Sequence, residues 1–279
     1  MRSTDANNQR TASALTPVRV LALPTGETGS EHDDTVAVEA PLEVRIGGKP
    51  VTVLMRTPGN DRELVTGFLF GEGVITDADD VISIERPTDA SAANQGNILD
   101  VQLMTARRAF DVDRLFFSNS SCGICGKKSL ASVEVRGTPA RAGLTVSRGV
   151  LAELPERLRG AQPTFARTGG VHASGLFTIE GTLVAVREDV GRHNALDKLV
   201  GWALNEGRVP LADRVLLVSG RVSYELVQKA VAAGIPIVAA VGAPSSIAVE
   251  LAERFGITLI GFLRASGMNV YANPDRVTG

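Results

Sequence analysis

The chain has 279 residues, 44% of them hydrophobic and 22% charged, with a formal net charge of -2. That length and apolar content suffice for a substantial core, and the balance of charge lacks the basic excess that binding to a phosphate backbone demands, so nucleic acid is not an expected partner. The two cysteines, Cys122 and Cys125, cannot build the disulfide framework of a secreted scaffold, the first 16 residues lack the apolar core of a signal, and no run of about 18 apolar residues could span a membrane, which together lead to an expectation of a cytoplasmic protein with no membrane partner.

Residues 1–34 are rich in Ser, Thr, Asn, Gln, Asp and Gly with little periodicity, and read as a mobile polar tail. From Thr35 apolar residues alternate through Val36, Val38, Leu42, Val44 and Ile46, then Val51, Val53 and Met55 after Gly47-Gly48, which predicts a β-hairpin. Asp61 reads as the cap of a helix whose apolar face is Leu64, Val65, Phe68 and Leu69, ending near Gly71. Strands are expected over 81–85 and 98–104, with a polar turn over 90–96. Residues 35–112 thus form a mixed α+β portion.

Residues 113–279 read as an α/β unit. A short strand is expected over 114–118, then a cysteine loop and a helix over 127–135. A serine-capped helix over 147–159 carries Val150, Leu151, Leu154 and Leu158 on one face. Strands over 183–186, 215–218, 237–241 and 258–263 then alternate with helices over 194–205, 222–233 and 246–255, the pattern of parallel βαβ units with helices covering the sheet.

Four segments carry the candidate chemistry. In Ser120-Ser121-Cys122-Gly123-Ile124-Cys125-Gly126-Lys127-Lys128, glycines allow exposed amides, and the lysines together with a following helix N-terminus favour thiolate. A nucleophilic thiolate can take sulfur from a persulfide donor and release it to an acceptor. Competing readings are two core cysteines, a thioredoxin-type redox pair, and half of a zinc site. Gly, Ser and Lys make a poor core, and zinc needs two more ligands when only His32, His172 and His193 remain, so no metal is expected and a sulfur carrier is favoured.

The second segment, Thr168-Gly169-Gly170-Val171-His172-Ala173-Ser174-Gly175, reads as a small-residue loop in which His172 either moves protons, binds a phosphate, or closes a turn. The third, Arg187 to Lys198, is a charge cluster between a strand and a helix, where ligands of α/β sheets bind; Asp189, Arg192, His193 and Asn194 are candidates beside the simpler reading of a solvated, capping face. The fourth group lies at strand ends: Ser219-Gly220-Arg221, Gly242 to Ser246, and Phe262 to Asn269 with Arg264. Free amides at helix starts there suit a diphosphate or a nucleotide, or else serve only as caps.

Taken in order, Ser-Ser-Cys-Gly-Ile-Cys-Gly-Lys, Thr-Gly-Gly-Val-His-Ala-Ser-Gly, Arg-Glu-Asp-Val-Gly-Arg-His-Asn-Ala-Leu-Asp-Lys and Ser-Gly-Arg-Val-Ser-Tyr-Glu resemble the FdhD family of formate dehydrogenase accessory sulfurtransferases, over about residues 37–273. The resemblance implies a cytidine-deaminase-like α/β/α domain, a homodimer, and a cytoplasmic sulfurtransferase. Such a protein takes sulfur from a cysteine desulfurase and passes it to the bis-molybdopterin guanine dinucleotide cofactor before that cofactor enters formate dehydrogenase. By position, Cys122 matches the persulfide-bearing cysteine and Cys125 its partner. Phe262, Leu263, Arg264, Ala265, Ser266 and Gly267 match the segment that binds the molybdenum cofactor, and Ser219, Arg221, His172, Asp189 and His193 are expected beside it.

Two alternatives remain in view. A non-catalytic chaperone would need the strand-end pocket but no thiol. A zinc nucleobase deaminase would need His-x-Glu before Pro-Cys-x-x-Cys; here Ser121 precedes Cys122, and Ser174 stands where that glutamate would be required.

Overall fold

The structure is a computed structural model that describes residues 13–26, 28–88, 96–104, 139–140 and 143–279. The strand expected over 114–118, the cysteine loop and the helix expected over 127–135 lie outside the described residues. The first described element corrects the expectation of a mobile tail through residue 34: β1 (Leu15–Ala22) and β2 (Ser30–Ala37) pair as an antiparallel hairpin. Its charges hide it from a hydropathy reading because they face one another across the strands. Arg19 lies 3.4 Å from Glu31 and 3.2 Å from Asp33.

β3 (Ala40–Ile46) and β4 (Lys49–Arg56) form the predicted hairpin, and both turn glycines, Gly47 and Gly48, take positive φ as such a two-residue turn requires. α1 (Asp61–Gly71) follows. Its cap is Asn60, not Asp61 as expected; the Asp61 carboxylate instead receives two hydrogen bonds from buried Arg56, at 2.9 and 3.1 Å, and one from Arg86 at 3.1 Å. β5 (Val81–Glu85) and β6 (Ile98–Leu103) complete a four-stranded sheet of order β4-β3-β6-β5. The apolar face of α1 packs on this sheet, with Leu64, Val65, Phe68 and Leu69 against Leu42, Val44, Leu99 and Val101.

β7 (Val146–Ser147) leads into α2 (Arg148–Gly160), where Ser147 caps the helix by accepting from Val150 N at 3.1 Å. A short helix α3 (Pro163–Thr168), not anticipated from the sequence, has its first amides bound by the Glu188 carboxylate. β8 (His172–Phe177), β9 (Leu183–Asp189), α4 (Arg192–Asn205), β10 (Val215–Val218), α5 (Tyr224–Ala232), β11 (Ile237–Ala240), α6 (Ser246–Arg254), β12 (Thr258–Arg264), β13 (Gly267–Ala272) and β14 (Val277–Thr278) follow.

Six of these strands form one sheet of order β13-β12-β11-β10-β8-β9. β10, β11 and β12 are parallel, as expected, while β8 runs antiparallel to β10 and β13 antiparallel to β12. β10 and β11 are buried at every position, which demands apolar side chains on both faces and gives Val-Leu-Leu-Val and Ile-Val-Ala-Ala. Leu196, Leu199, Leu226, Val227 and Leu251 of α4, α5 and α6 cover one face; Leu151, Leu154 and Leu158 of α2 cover the other. The result is the expected α/β/α layering, with the smaller sheet attached through α1.

Candidate functional site

The parallel strands β10, β11 and β12 all end on one edge of the sheet, and the chain leaving them is stitched into a ledge. Gly242 N donates to Gly220 O at 3.0 Å, Phe262 N to Gly242 O at 3.1 Å, Val222 N to Ala243 O at 3.1 Å, and Ser245 N to Val222 O at 2.9 Å. Gly242 is required for this spacing, since a Cβ there would stand 2.8 Å from Gly220 O and 3.0 Å from Arg221 Cα. Edges of this kind, outside the carboxyl ends of parallel strands, are where open α/β sheets take their ligands.

The predicted residues divide on this edge. Phe262 is held with φ 52°, in the left-handed region that a bulky residue seldom adopts, and the residue is 42% exposed. Arg264, Ala265, Ser266 and Gly267 are exposed in the tight connection from β12 to β13, with Arg264 Nη1 donating to Val241 O at 3.4 Å. Leu263 departs from expectation: the whole residue is buried, clustered with Leu154, Phe177 and Ile260, and presents no surface to a ligand. Arg221 is exposed beside the ledge.

Ser219 ties β10 to β8, its amide donating to Ala173 O and its hydroxyl accepting from Ala173 N, each at 2.9 Å. The segment expected as a loop before a strand is β8 itself from His172 onward. His172 starts that strand partly buried against Gly220, where a Cβ would lie 3.3 Å from its Nδ1. Burial, and then the Arg192 guanidinium, push the His172 pKa below its usual value against the pull of Asp189, which favours the neutral imidazole.

Asp189, expected to meet the cofactor, is fully buried and serves another purpose. It pairs with Lys198 at 2.7 Å and accepts from Thr57 N at 3.1 Å, Gly191 N at 2.8 Å and Asn194 Nδ2 at 2.9 Å. With both oxygens so engaged it fastens the start of α4, where Arg192 and His193 stand, to the chain leaving β4. His193 stands where α4 and α5 begin, with Nε2 3.0 Å from Ser223 Oγ. Ser223 and Glu225 belong to the Ser-Gly-Arg-Val-Ser-Tyr-Glu segment, yet neither was singled out as a site residue, because their relation to His193 is made only by the tertiary fold.

The edge therefore offers backbone, two exposed guanidiniums, an imidazole and an exposed aromatic residue, a set suited to an anionic ligand with a planar base. Cys122 and Cys125 lie outside the described residues. Among the described residues no group of three or more His, Cys, Asp or Glu is placed to hold a metal ion, and no helix is long and apolar enough to cross a membrane.

Comparison with known proteins agrees along nearly the whole chain. The sulfur carrier protein FdhD of Nocardia farcinica is 54% identical over 265 residues, covering 93% of each chain. That of Mycobacterium tuberculosis is 52% identical over 254 residues, covering 88% of this chain and 92% of its own. The archaeal sulfur carrier protein FdhD of Sulfolobus acidocaldarius is still 44% identical over 248 residues, covering 89% and 93%. A crystal structure from Desulfotalea psychrophila, assigned as a formate dehydrogenase accessory protein, superposes with a TM-score of 0.74 at 25% identity, covering 95% of this chain and all of that one. Residues 37–278 match the FdhD/NarQ family. With a match of that extent and relatives above two-fifths identity across both chains, the protein belongs to the FdhD/NarQ family of formate dehydrogenase accessory sulfur carriers.

Proposed function

We propose that this chain is a sulfurtransferase that receives sulfur from a cysteine desulfurase as a persulfide on Cys122 and passes it to the bis-molybdopterin guanine dinucleotide cofactor, which then enters formate dehydrogenase. The observation that carries the reading is the ledge at the ends of β10, β11 and β12, where Arg221, Arg264 and the exposed Phe262 surround closely apposed backbone. Its chemistry fits a diphosphate joined to a purine, and the molybdenum cofactor is cargo, not a resident group. The Cys122 thiolate attacks the outer sulfur of the donor's persulfide, forming a new S–S bond and returning the donor's thiolate; Cys125, three residues on, relays or protects that sulfur. A reducing cytoplasm suits this chemistry, and the likeness to the family supports a homodimer.

Incubation with a cysteine desulfurase and cysteine is expected to add one sulfur atom to the Cys122 peptide, read by mass spectrometry. Cys122→Ala is expected to abolish formate dehydrogenase activity in cells lacking the wild-type copy. Full activity with that variant would leave a cofactor-binding chaperone that needs no thiol.

A further inference from the structure

α4 and α5 begin side by side at the ledge, and one imidazole joins their first turns. Ser223 is the N-cap of α5, a position where serine ordinarily accepts from an amide of its own helix. It makes no such bond, and its hydroxyl lies instead 3.0 Å from His193 Nε2. The same nitrogen is 3.6 Å from Oε2 of Glu225, an oxygen without a hydrogen-bond partner among the described residues. The side chains of His193 and Glu225 are only 13% and 12% exposed, so a carboxylate oxygen left there without a donor is costly, and a proton on Nε2 relieves it.

We infer that Glu225 is a positioning residue that holds His193 protonated at the edge of the ledge, where the imidazolium adds a positive charge for the diphosphate of the bound nucleotide; this rests on the reading that the ledge takes a guanine dinucleotide. Two hydrogen-bonded states follow from the geometry. With Nε2 bare, the Ser223 hydroxyl donates to it and Glu225 Oε2 is left over. With Nε2 protonated, the ring donates, and when Nδ1 carries a proton as well Glu225 is the counter-ion of the imidazolium. Charged groups on the surrounding elements are Arg192 and Asp197 of α4, Lys229 of α5, Glu72 at the end of α1, Arg221 before α5, and Asp189 and His172 of β9 and β8. Lys229 lies 3.5 Å from the other Glu225 oxygen and competes for its charge, while Asp197, 2.7 Å from Lys229, weakens that competition where it is ionised.

The test follows the three histidine rings by NMR across neutral pH, with His193 assigned through His193→Gln, and measures GDP binding by calorimetry over the same range. Glu225→Gln is expected to lower the His193 midpoint by about one pH unit, the effect of removing an opposite charge within 4–6 Å. It is also expected to weaken GDP binding roughly tenfold between the two midpoints, with affinities converging below and above them. The ionisation of GDP itself cancels, because both proteins meet the same ligand. Unchanged His193 midpoints, or a loss of affinity equal at every pH, would overturn the inference while leaving the pocket reading intact. Failure of the wild-type protein to bind GDP at any pH would overturn both. Should Glu225→Gln not fold, Glu225→Asp, which draws the carboxylate back from the ring, is expected to move the midpoint in the same direction.

Discussion

Lys229 sits fully buried among three carboxylates, Asp197, Glu225 and Glu72, and the outcome of that competition is legible in its neighbours. Burial raises the Asp197 pKa to about 7, more than the ammonium 2.7 Å away lowers it. Burial also acts to lower the Lys229 pKa, but Glu225 and Glu72, joined by Asp197 where that group is ionised, outweigh it and hold the lysine charged. Folded Asp197 therefore keeps a proton that the unfolded chain releases at the ordinary carboxylate value of about 4. The stability this contributes is complete below that value, declines as pH rises, and is gone above about 7. Asp197→Asn has no such titration. The unfolding free energy of the wild type minus that of Asp197→Asn is expected to fall between those limits, by at most about 1.4 kcal/mol per pH unit, in urea melts taken across the range. A difference that stays level or grows with pH would mean that the attraction of Lys229 outweighs burial.

At the scale of elements, α1 and α4 cross closer than any side chain would allow. A Cβ on Gly67 would stand 1.9 Å from Asp197 O, and one on Gly201 would stand 1.9 Å from Glu63 O; both obstacles are backbone, which cannot swing aside. Gly67→Ala and Gly201→Ala are each expected to destabilise by about 3 kcal/mol, the upper range of overpacking, in spite of alanine's better helix propensity. A melt showing either variant as stable as the parent would contradict the crossing. Such a contact is invisible in sequence, where both glycines stand inside helices that their apolar faces announce. Local signals in the sequence carry Ser147 before Leu151, Leu154 and Leu158, and the four apolar residues of β10. β8 was missed because Ala173-Ser174-Gly175 is as small as a loop; the reason lies outside the segment, in Leu158 and Phe177, which approach within 2.7 and 2.9 Å of where a Gly175 Cβ would be. α5 starts at Tyr224, later than the apolar pattern suggested, because Val222 bridges to Pro244 and builds the ledge. The ledge was legible as glycine-ended strands beside arginines. Asp189 and Leu263 misled for one reason: their segments face the ledge while their side chains turn into the interior.

Across the whole molecule the boundary expected near residue 112 is bridged by packing. The core of the small sheet includes Leu204 of α4, and Phe70 and Val209 touch both this core and the one beneath α4, α5 and α6. Polar links run the same way: Arg187 Nε and Nη2 bind Glu63 at 2.5 and 2.8 Å, and Thr57 exchanges hydrogen bonds with Asp189 and Val190. Cutting this interface would expose apolar surface on both sides and strand buried charges, so neither part can unfold while the other keeps its full stability. A single cooperative transition is expected. The sole tryptophan, Trp202, reports on the junction itself, because it lies on α4 with the guanidiniums of Arg187 and Arg208 5.7 and 5.3 Å from its ring. Its fluorescence should change at the same urea concentration as the far-ultraviolet circular dichroism, which follows every helix and strand. Two separated midpoints, with the fluorescence change confined to one of them, would establish that the α1 portion folds apart from the six-stranded sheet.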